Sequence, residues 1–211
     1  MNEQSKYCYP GTDILINKMN YRDQELLNKV ETSVTALRFV ELQNKPIVGN
    51  FDLKHLQKIH QHLFQDIYPF AGKLREENIA KGAFQFAHAS FLKDQTSELF
   101  KQLKGENRLN GLKIDEFSDR AAHYMAELNV LHPFREGNGR SQREFIRCLA
   151  LANGYSLKWN SQKTEDVFNA TVKSVLDPTD LSKIIKSAIT NHEPDLKIAK
   201  QFKAKNQNIS R

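Results

Sequence analysis

His132-Pro133-Phe134-Arg135-Glu136-Gly137-Asn138-Gly139-Arg140-Ser141-Gln142-Arg143 separates two helical patterns. Before it, Phe117, Ala121, Tyr124, Met125, Leu128 and Leu131 keep the spacing of one helix face, from an expected N-cap at Asp115. Pro133 stops that helix, because a proline disfavours helical backbone in the residue before it. After it, Phe145, Ile146, Leu149 and Ala150 resume the helical period, and Gly154 supplies an expected C-cap. Two glycines around Asn138 let the backbone turn sharply and present N–H groups to an anion. The loop feeds a helix N-terminus, where free N–H groups and the helix dipole favour negative charge. Arg140 and Arg143, three apart, share one side of the first turn. Glu136 is a carboxylate of the kind Mg²⁺ takes beside phosphate oxygens. His132 stands at the other lip, and histidine is the usual general base near neutral pH.

Working outward, Leu74–Ile79 and Phe84–Ala87 flank Lys81-Gly82-Ala83, which reads as a short hairpin turning at Gly82. An isolated hairpin is marginal in water, so Ile79, Phe84 or Phe86 must lean on the helices. A long helix is expected over about 21–43, capped by Asn20, with Leu26, Val30, Val34, Leu37 and Val40 facing inward. A second follows Asp52, with Leu53, Leu56, Ile59 and Leu63 on one face. His55, His60 and His62 lie on it without sharing a face, which argues against a metal site there. Further helices are expected at about 90–103, 163–175 and 180–192. The class is all-α with one small hairpin. Residues 1–194 are read as one domain, and 195–211 as a flexible basic tail.

The chain has 211 residues, 39% hydrophobic and 27% charged, as in soluble globular proteins. No apolar run approaches the ~18 residues of a membrane span, and the N-terminus lacks the apolar region of a signal peptide. Two cysteines are too few for a disulfide framework. A cytoplasmic protein is expected. The net charge of +6 comes from scattered lysines without a nucleic-acid signature, so nucleic acid is not an expected partner.

The quoted stretch resembles the Fic family motif, H-P-F-x-[D/E]-G-N-G-R-x-x-R, at every specified position. Tyr68-Pro69-Phe70-Ala71-Gly72-Lys73-Leu74-Arg75 is similar to the segment before that family's flap, so the resemblance spans roughly residues 10–190. It implies the Fic fold: a helical bundle with a β-hairpin flap over the active-site loop. It implies transfer of AMP from ATP to a Tyr, Thr or Ser hydroxyl of a target protein. His132 would be the base and Glu136 the Mg²⁺ ligand. Arg135, Gly137, Asn138, Gly139, Arg140 and Arg143 would hold the phosphates. The flap, through Ile79, Lys81, Gly82, Phe84 and Phe86, would dock the target backbone. Relatives of the Doc group carry Lys where this chain has Gly139, and they phosphorylate; Gly139 favours adenylylation. Many Fic proteins carry an inhibitory helix, [S/T]-x-x-x-E-[G/N], whose Glu takes the second motif arginine. Glu77-Asn78, Glu106-Asn107 and Glu136-Gly137 lack the Ser or Thr four residues before Glu, so no such helix is expected here. That points to a toxin held by a small antitoxin that supplies the helix. By the same resemblance, the ATPase subunits of type II topoisomerases are candidate targets. The alternatives are a silent nucleotide- or protein-binding module, and a Fic enzyme that transfers another nucleotide such as UMP.

Overall fold

A computed structural model describes residues 4–204. Among these, eight α-helices and one two-stranded hairpin are present. In order they are α1 (Gln24–Asn44), α2 (Leu53–Phe64), β1 (Ala80–Lys81), β2 (Phe84–Gln85), α3 (Leu92–Gly105), α4 (Ile114–Leu131), α5 (Asn138–Ala152), α6 (Thr164–Lys173), α7 (Thr179–Ala188) and α8 (Leu196–Ala204). The all-α class with a single hairpin is as expected.

The helices of the quoted stretch form the centre. α4 buries Phe117, Ala121, Tyr124, Met125 and Leu128, packed against α5 and α7. α5 buries Phe145, Ile146, Cys148 and Leu149 against α2 and α8. The Phe, Met, Ile and Leu side chains among these each contribute about 1.5–3 kcal/mol on burial. The two ends that meet at the loop are therefore fixed by the densest part of the molecule. Asp52 caps α2, its carboxylate accepting from the His55 N–H at 2.8 Å. After α5, Gly154 takes a left-handed conformation (φ 83°), and Tyr155 N–H closes on the Ala150 carbonyl at 2.8 Å. That is the glycine termination anticipated, with Asn153 as the cap residue and Gly154 just beyond it.

Three expectations need correction. The cap of α1 is Asp23, which accepts from Leu26 N–H, and not Asn20, whose left-handed φ of 57° belongs to the turn before it. The inward face of α1 is not its apolar stripe: Leu26, Leu37 and Val40 are exposed, and Leu27, Thr35 and Leu42 are buried. Polar bonds turn the helix that way. Glu31 and Thr35 reach Arg140, and Arg38 pairs with Asp66. Third, the chain does not leave the fold at residue 194. α8 packs on α5, and Phe202 is 3% exposed, its ring stacked on Phe51. The rest of the expected tail, 205–211, lies outside the described residues. A smaller shift is at α4, which begins at Ile114, so Asp115 sits in its first turn and is not the cap.

The hairpin is short. Ala80 pairs with Gln85 and Lys81 with Phe84, around Gly82 at φ 59°. One more cross-hairpin bond follows, from Phe86 N–H to the Ile79 carbonyl at 3.3 Å; earlier in the chain the segment turns to the quoted loop, where Arg75 N–H donates to the Pro133 carbonyl at 2.9 Å.

Candidate active site

α4 closes on His132 in a left-handed conformation (φ 47°, ψ 61°), its N–H bonded to the Leu128 carbonyl at 2.9 Å. The loop is then tied to itself. Asn138 accepts the Phe134 N–H at 2.9 Å and donates to the Phe134 carbonyl at 2.7 Å. Phe134 is buried and stacks on His60, centroids 3.9 Å apart. His60 bridges two segments: one ring nitrogen accepts from Gly72 N–H at 2.8 Å, so the other carries the proton and donates to the Glu136 carbonyl at 2.9 Å. Gly137 then turns at φ 78°, and a Cβ there would lie 2.3 Å from the Phe64 ring. Both the conformation and the close approach require glycine.

α5 starts directly after this turn. Its first ladder bond runs from Ser141 N–H to the Gly137 carbonyl, so the N–H groups of Asn138, Gly139 and Arg140 precede the ladder. Arg143 lies below them. Burial, then the neighbouring Arg140, pushes its guanidinium below its ordinary pKa, and among the described residues no carboxylate pairs with it. Arg140 is held instead. Glu31 takes it at 2.5 Å, Thr35 at 3.4 Å and Glu136 at 3.4 Å, and its guanidinium lies 4.7 Å from the centre of the Phe64 ring. Tyr68 in turn donates to the second Glu31 oxygen.

His132 stands at the other lip of the loop. The Asn129 carbonyl can only accept, so His132 Nδ1 carries the proton, at 3.3 Å, and Nε2 keeps a free lone pair. Phe86 covers the ring, stacked at 3.8 Å and 23°. Burial lowers the imidazole pKa to about 4; the Asn129 carbonyl opposes this, and the cations Arg75 and Lys81 add to it. Desolvation and positive neighbours thus outweigh the helix C-terminus, and the ring is neutral at physiological pH. The cations responsible are Arg75 and Lys81, and not the arginines of α5.

Among the expected site residues the structure joins Gly137 and Arg140 through the Glu136 carboxylate and sets Gly139 beside the Arg143 guanidinium; His132 stands at the start of the same loop. Two expected phosphate ligands differ. Arg135 points to the base of the hairpin and pairs with Glu77 at 2.9 Å. The Asn138 side chain is 2% exposed and spent on Phe134, leaving its backbone N–H as its only group for a phosphate. On the hairpin, Lys81, Gly82 and Phe84 are exposed and Ile79 is half-buried. Phe86 turns inward onto His132, away from any docking edge. A cleft of about 1020 Å³ runs beside the hairpin, between Lys6, Glu77, Ile79 and Lys93, and meets the loop only at Arg135. The α5 N-terminus lies outside it.

A metal ion fits one carboxylate. Glu136 is half-exposed, and only one of its oxygens is engaged, by Gly137 N–H at 2.8 Å and the more distant Arg140. Mg²⁺ commonly takes one or two carboxylates and completes its shell with phosphate oxygens and water. Among the described residues no three His, Cys, Asp or Glu side chains form a protein-only cage.

Residues 50–150, which hold the loop, both flanking helices and the hairpin, match the model of the Fic/DOC family. Over 159 residues the chain is 42% identical to the probable protein adenylyltransferase Fic of Escherichia coli, covering 75% of this chain and 78% of that protein. The chain belongs to the Fic/DOC family. It is likewise 41% identical over 185 residues to the protein adenylyltransferase VbhT of Bartonella schoenbuchensis, covering 87% of this chain but 39% of VbhT. It is a Fic protein of the adenylyltransferase kind. Solved Fic structures share its fold. BepC of Bartonella tribocorum, with bound AMPPNP, superposes with a TM-score of 0.79 at 25% identity, covering 90% of this chain and 97% of BepC. A Fic domain from Bartonella quintana with bound ADP gives 0.80 at 26% identity, covering 91% and 96%.

Sequence reading missed Glu31, Thr35 and Tyr68 around Arg140, and His60 beneath the loop. Glu31 and Thr35 fall four apart on α1 with Leu27, and that shared face was the available signal.

Proposed function

We propose that this Fic adenylyltransferase moves AMP from ATP to a hydroxyl of a target protein, with His132 as general base. The observation that carries the reading is a neutral His132, with Nε2 free, at the start of the loop that runs into the N-terminus of α5, together with an Arg143 that no carboxylate occupies among the described residues. Nε2 takes the proton of a Tyr, Thr or Ser hydroxyl as its oxygen attacks the α-phosphorus. The bond from that phosphorus to the bridging oxygen breaks, and pyrophosphate leaves. The N–H groups of Gly139 and its neighbours donate to phosphate oxygens, and Arg143 takes the terminal phosphate in a bidentate pair. Glu136 would hold Mg²⁺, which when bound neutralises charge on the phosphate oxygens. The exposed hairpin edge, through Lys81, Gly82 and Phe84, would pair with the target backbone, which gives register without demanding one side chain.

Incubation of the chain with a bacterial lysate, Mg²⁺ and [α-³²P]ATP should label a protein band, and [γ-³²P]ATP should not. His132→Ala should abolish labelling while AMPPNP still binds, since general-base help is worth about 10²–10⁴-fold. Label from the γ position, or transfer by the alanine variant at the parent rate, would refute this assignment.

Arg143 also supports control from outside the chain. A small partner that presents a helix with Ser or Thr, then Glu four residues on, would seat its carboxylate on Arg143 and displace the terminal phosphate. The chain would then act as the toxin of a cytoplasmic pair, with topoisomerase ATPase subunits as candidate targets. Growth arrest that depends on His132, on expression of the chain alone, is the expected result.

A further inference from the structure

Arg75 is 2% exposed, and no carboxylate pairs with its guanidinium among the described residues. A buried cation of this kind is costly unless its donors are met. Here backbone carbonyls meet them. Nε donates to His132 O at 2.8 Å, Nη1 to Glu77 O at 2.8 Å, and Nη2 to Ala87 O at 2.5 Å and Leu131 O at 3.1 Å. The backbone N–H of the same residue bonds Pro133 O at 2.9 Å.

These acceptors belong to two elements. Leu131, His132 and Pro133 form the C-terminal end of α4, where unpaired carbonyls and the helix dipole suit a cation. Glu77 and Ala87 are the two legs of the hairpin, before β1 and after β2. One side chain thus closes the base of the hairpin and fastens it to the backbone of His132. Ala87 N–H adds a bond to Val130 O at 3.2 Å, and Phe86, one residue away, lies on the His132 ring. Glu77 pairs with Arg135 and accepts from the Ser5 hydroxyl, both at Oε1, and reaches Arg75 through its backbone carbonyl.

We propose that Arg75 is a positioning residue for the transfer reaction: it locks the hairpin to the backbone of His132, so that the docked hydroxyl and the base that deprotonates it share one rigid frame. This rests on His132 as base and the hairpin as docking edge. Arg75 touches neither nucleotide nor target. Its planar fork reaches carbonyls on both elements at once, which a single ammonium cannot reproduce. Its charge also faces the imidazole, together with that of Lys81.

The fork and the charge can be separated. Arg75→Lys keeps the charge and loses the fork; Arg75→Gln loses both. Labelling of the lysate band from [α-³²P]ATP should fall about 10- to 100-fold in each, since a displacement near 1 Å can cost about 10²-fold. AMPPNP binding should stay within about twofold of the parent, because no phosphate ligand is moved. The acid limb of the pH–rate profile should stay in place for the lysine variant and move to higher pH for the glutamine variant. If the glutamine variant does not fold, the lysine variant, checked by its thermal melt, carries the test through the split between rate and binding. Unchanged labelling in the lysine variant would overturn the proposal, and so would parallel loss of labelling and AMPPNP binding. His132→Ala, run alongside, reports separately on the base: label in that variant would refute the base and with it this role for Arg75, whereas unchanged labelling in the lysine variant alone would refute only the role of Arg75.

Discussion

At the residue scale, the pKa of His132 has a direct kinetic consequence. As the proposed base it acts in its neutral form, and burial with Arg75 and Lys81 brings its pKa to about 4. The kcat/KM profile, which reports the free enzyme, should therefore be level from about pH 6 to 8 and fall only toward pH 4. An acid limb centred near the ordinary value of 6.5 would mean that the imidazole is solvated and the cover by Phe86 is not maintained. The loop residues show how far a motif can be read. Gly137 and Glu136 follow from backbone freedom and charge, which are properties of the residue itself. Asn138 and Arg135 do not, because both are hydrogen-bond donors with a free choice of partner. The choice is made by Phe134, four residues away in the same loop, whose backbone takes both ends of the Asn138 amide, and by Glu77, 58 residues away in the chain.

At the scale of the element, α1 carries its information on the side that periodicity assigns to solvent. Glu31, Thr35 and the Phe64 ring of α2 enclose Arg140 before any phosphate arrives. Holding a long side chain in place removes an ordering cost of about 0.5–1.5 kcal/mol from binding. Glu31→Ala should therefore raise the KM for ATP about two- to tenfold with kcat little changed, as measured by initial rates against nucleotide concentration. An unchanged or lower KM would show that the carboxylate competes with phosphate and does not prepare Arg140 for it. The helices α2, α4 and α5 were legible because their apolar faces are the buried ones. α1 was legible as a helix but not in its orientation, since its polar contacts lie in α5 and before the hairpin, far away in the chain. α8 was missed because a lysine-rich sequence hides a single anchoring side chain, Phe202.

At the scale of the whole molecule, three histidines are folded in as neutral rings. His55 and His60, like His132, are lowered by burial to about 4. Below pH 6.5 the unfolded chain takes up protons that these folded rings refuse, so their contribution to stability falls as the pH drops from 6.5 toward 4 and levels off below it. Each ring accounts for at most about 3 kcal/mol over that window. His55 packs between the Phe51 and Phe145 rings, so His55→Phe is the natural probe. Urea titrations at pH 7 and 4.5 should show a smaller loss of stability in that variant than in the parent. Equal losses would place the acid sensitivity elsewhere. The loop and the segment before the hairpin are both bonded to His60, so activity should not outlast folding in acid.

The left-handed turn at His132 puts reactivity and robustness in opposition. An L-residue in that conformation costs about 1–2 kcal/mol, and glycine is spared it. The position proposed to bear the chemistry is therefore one where the fold would prefer no side chain at all. Inactivation there need not weaken the protein. His132→Gly should melt about 2–4 °C above His132→Ala, the shift expected for about 1 kcal/mol in a chain of this size. If growth selects against the active enzyme, dead variants with glycine at this position should accumulate as sturdy, abundant protein and not as degraded chain. Matching melts for the two variants would mean that the turn is held without strain.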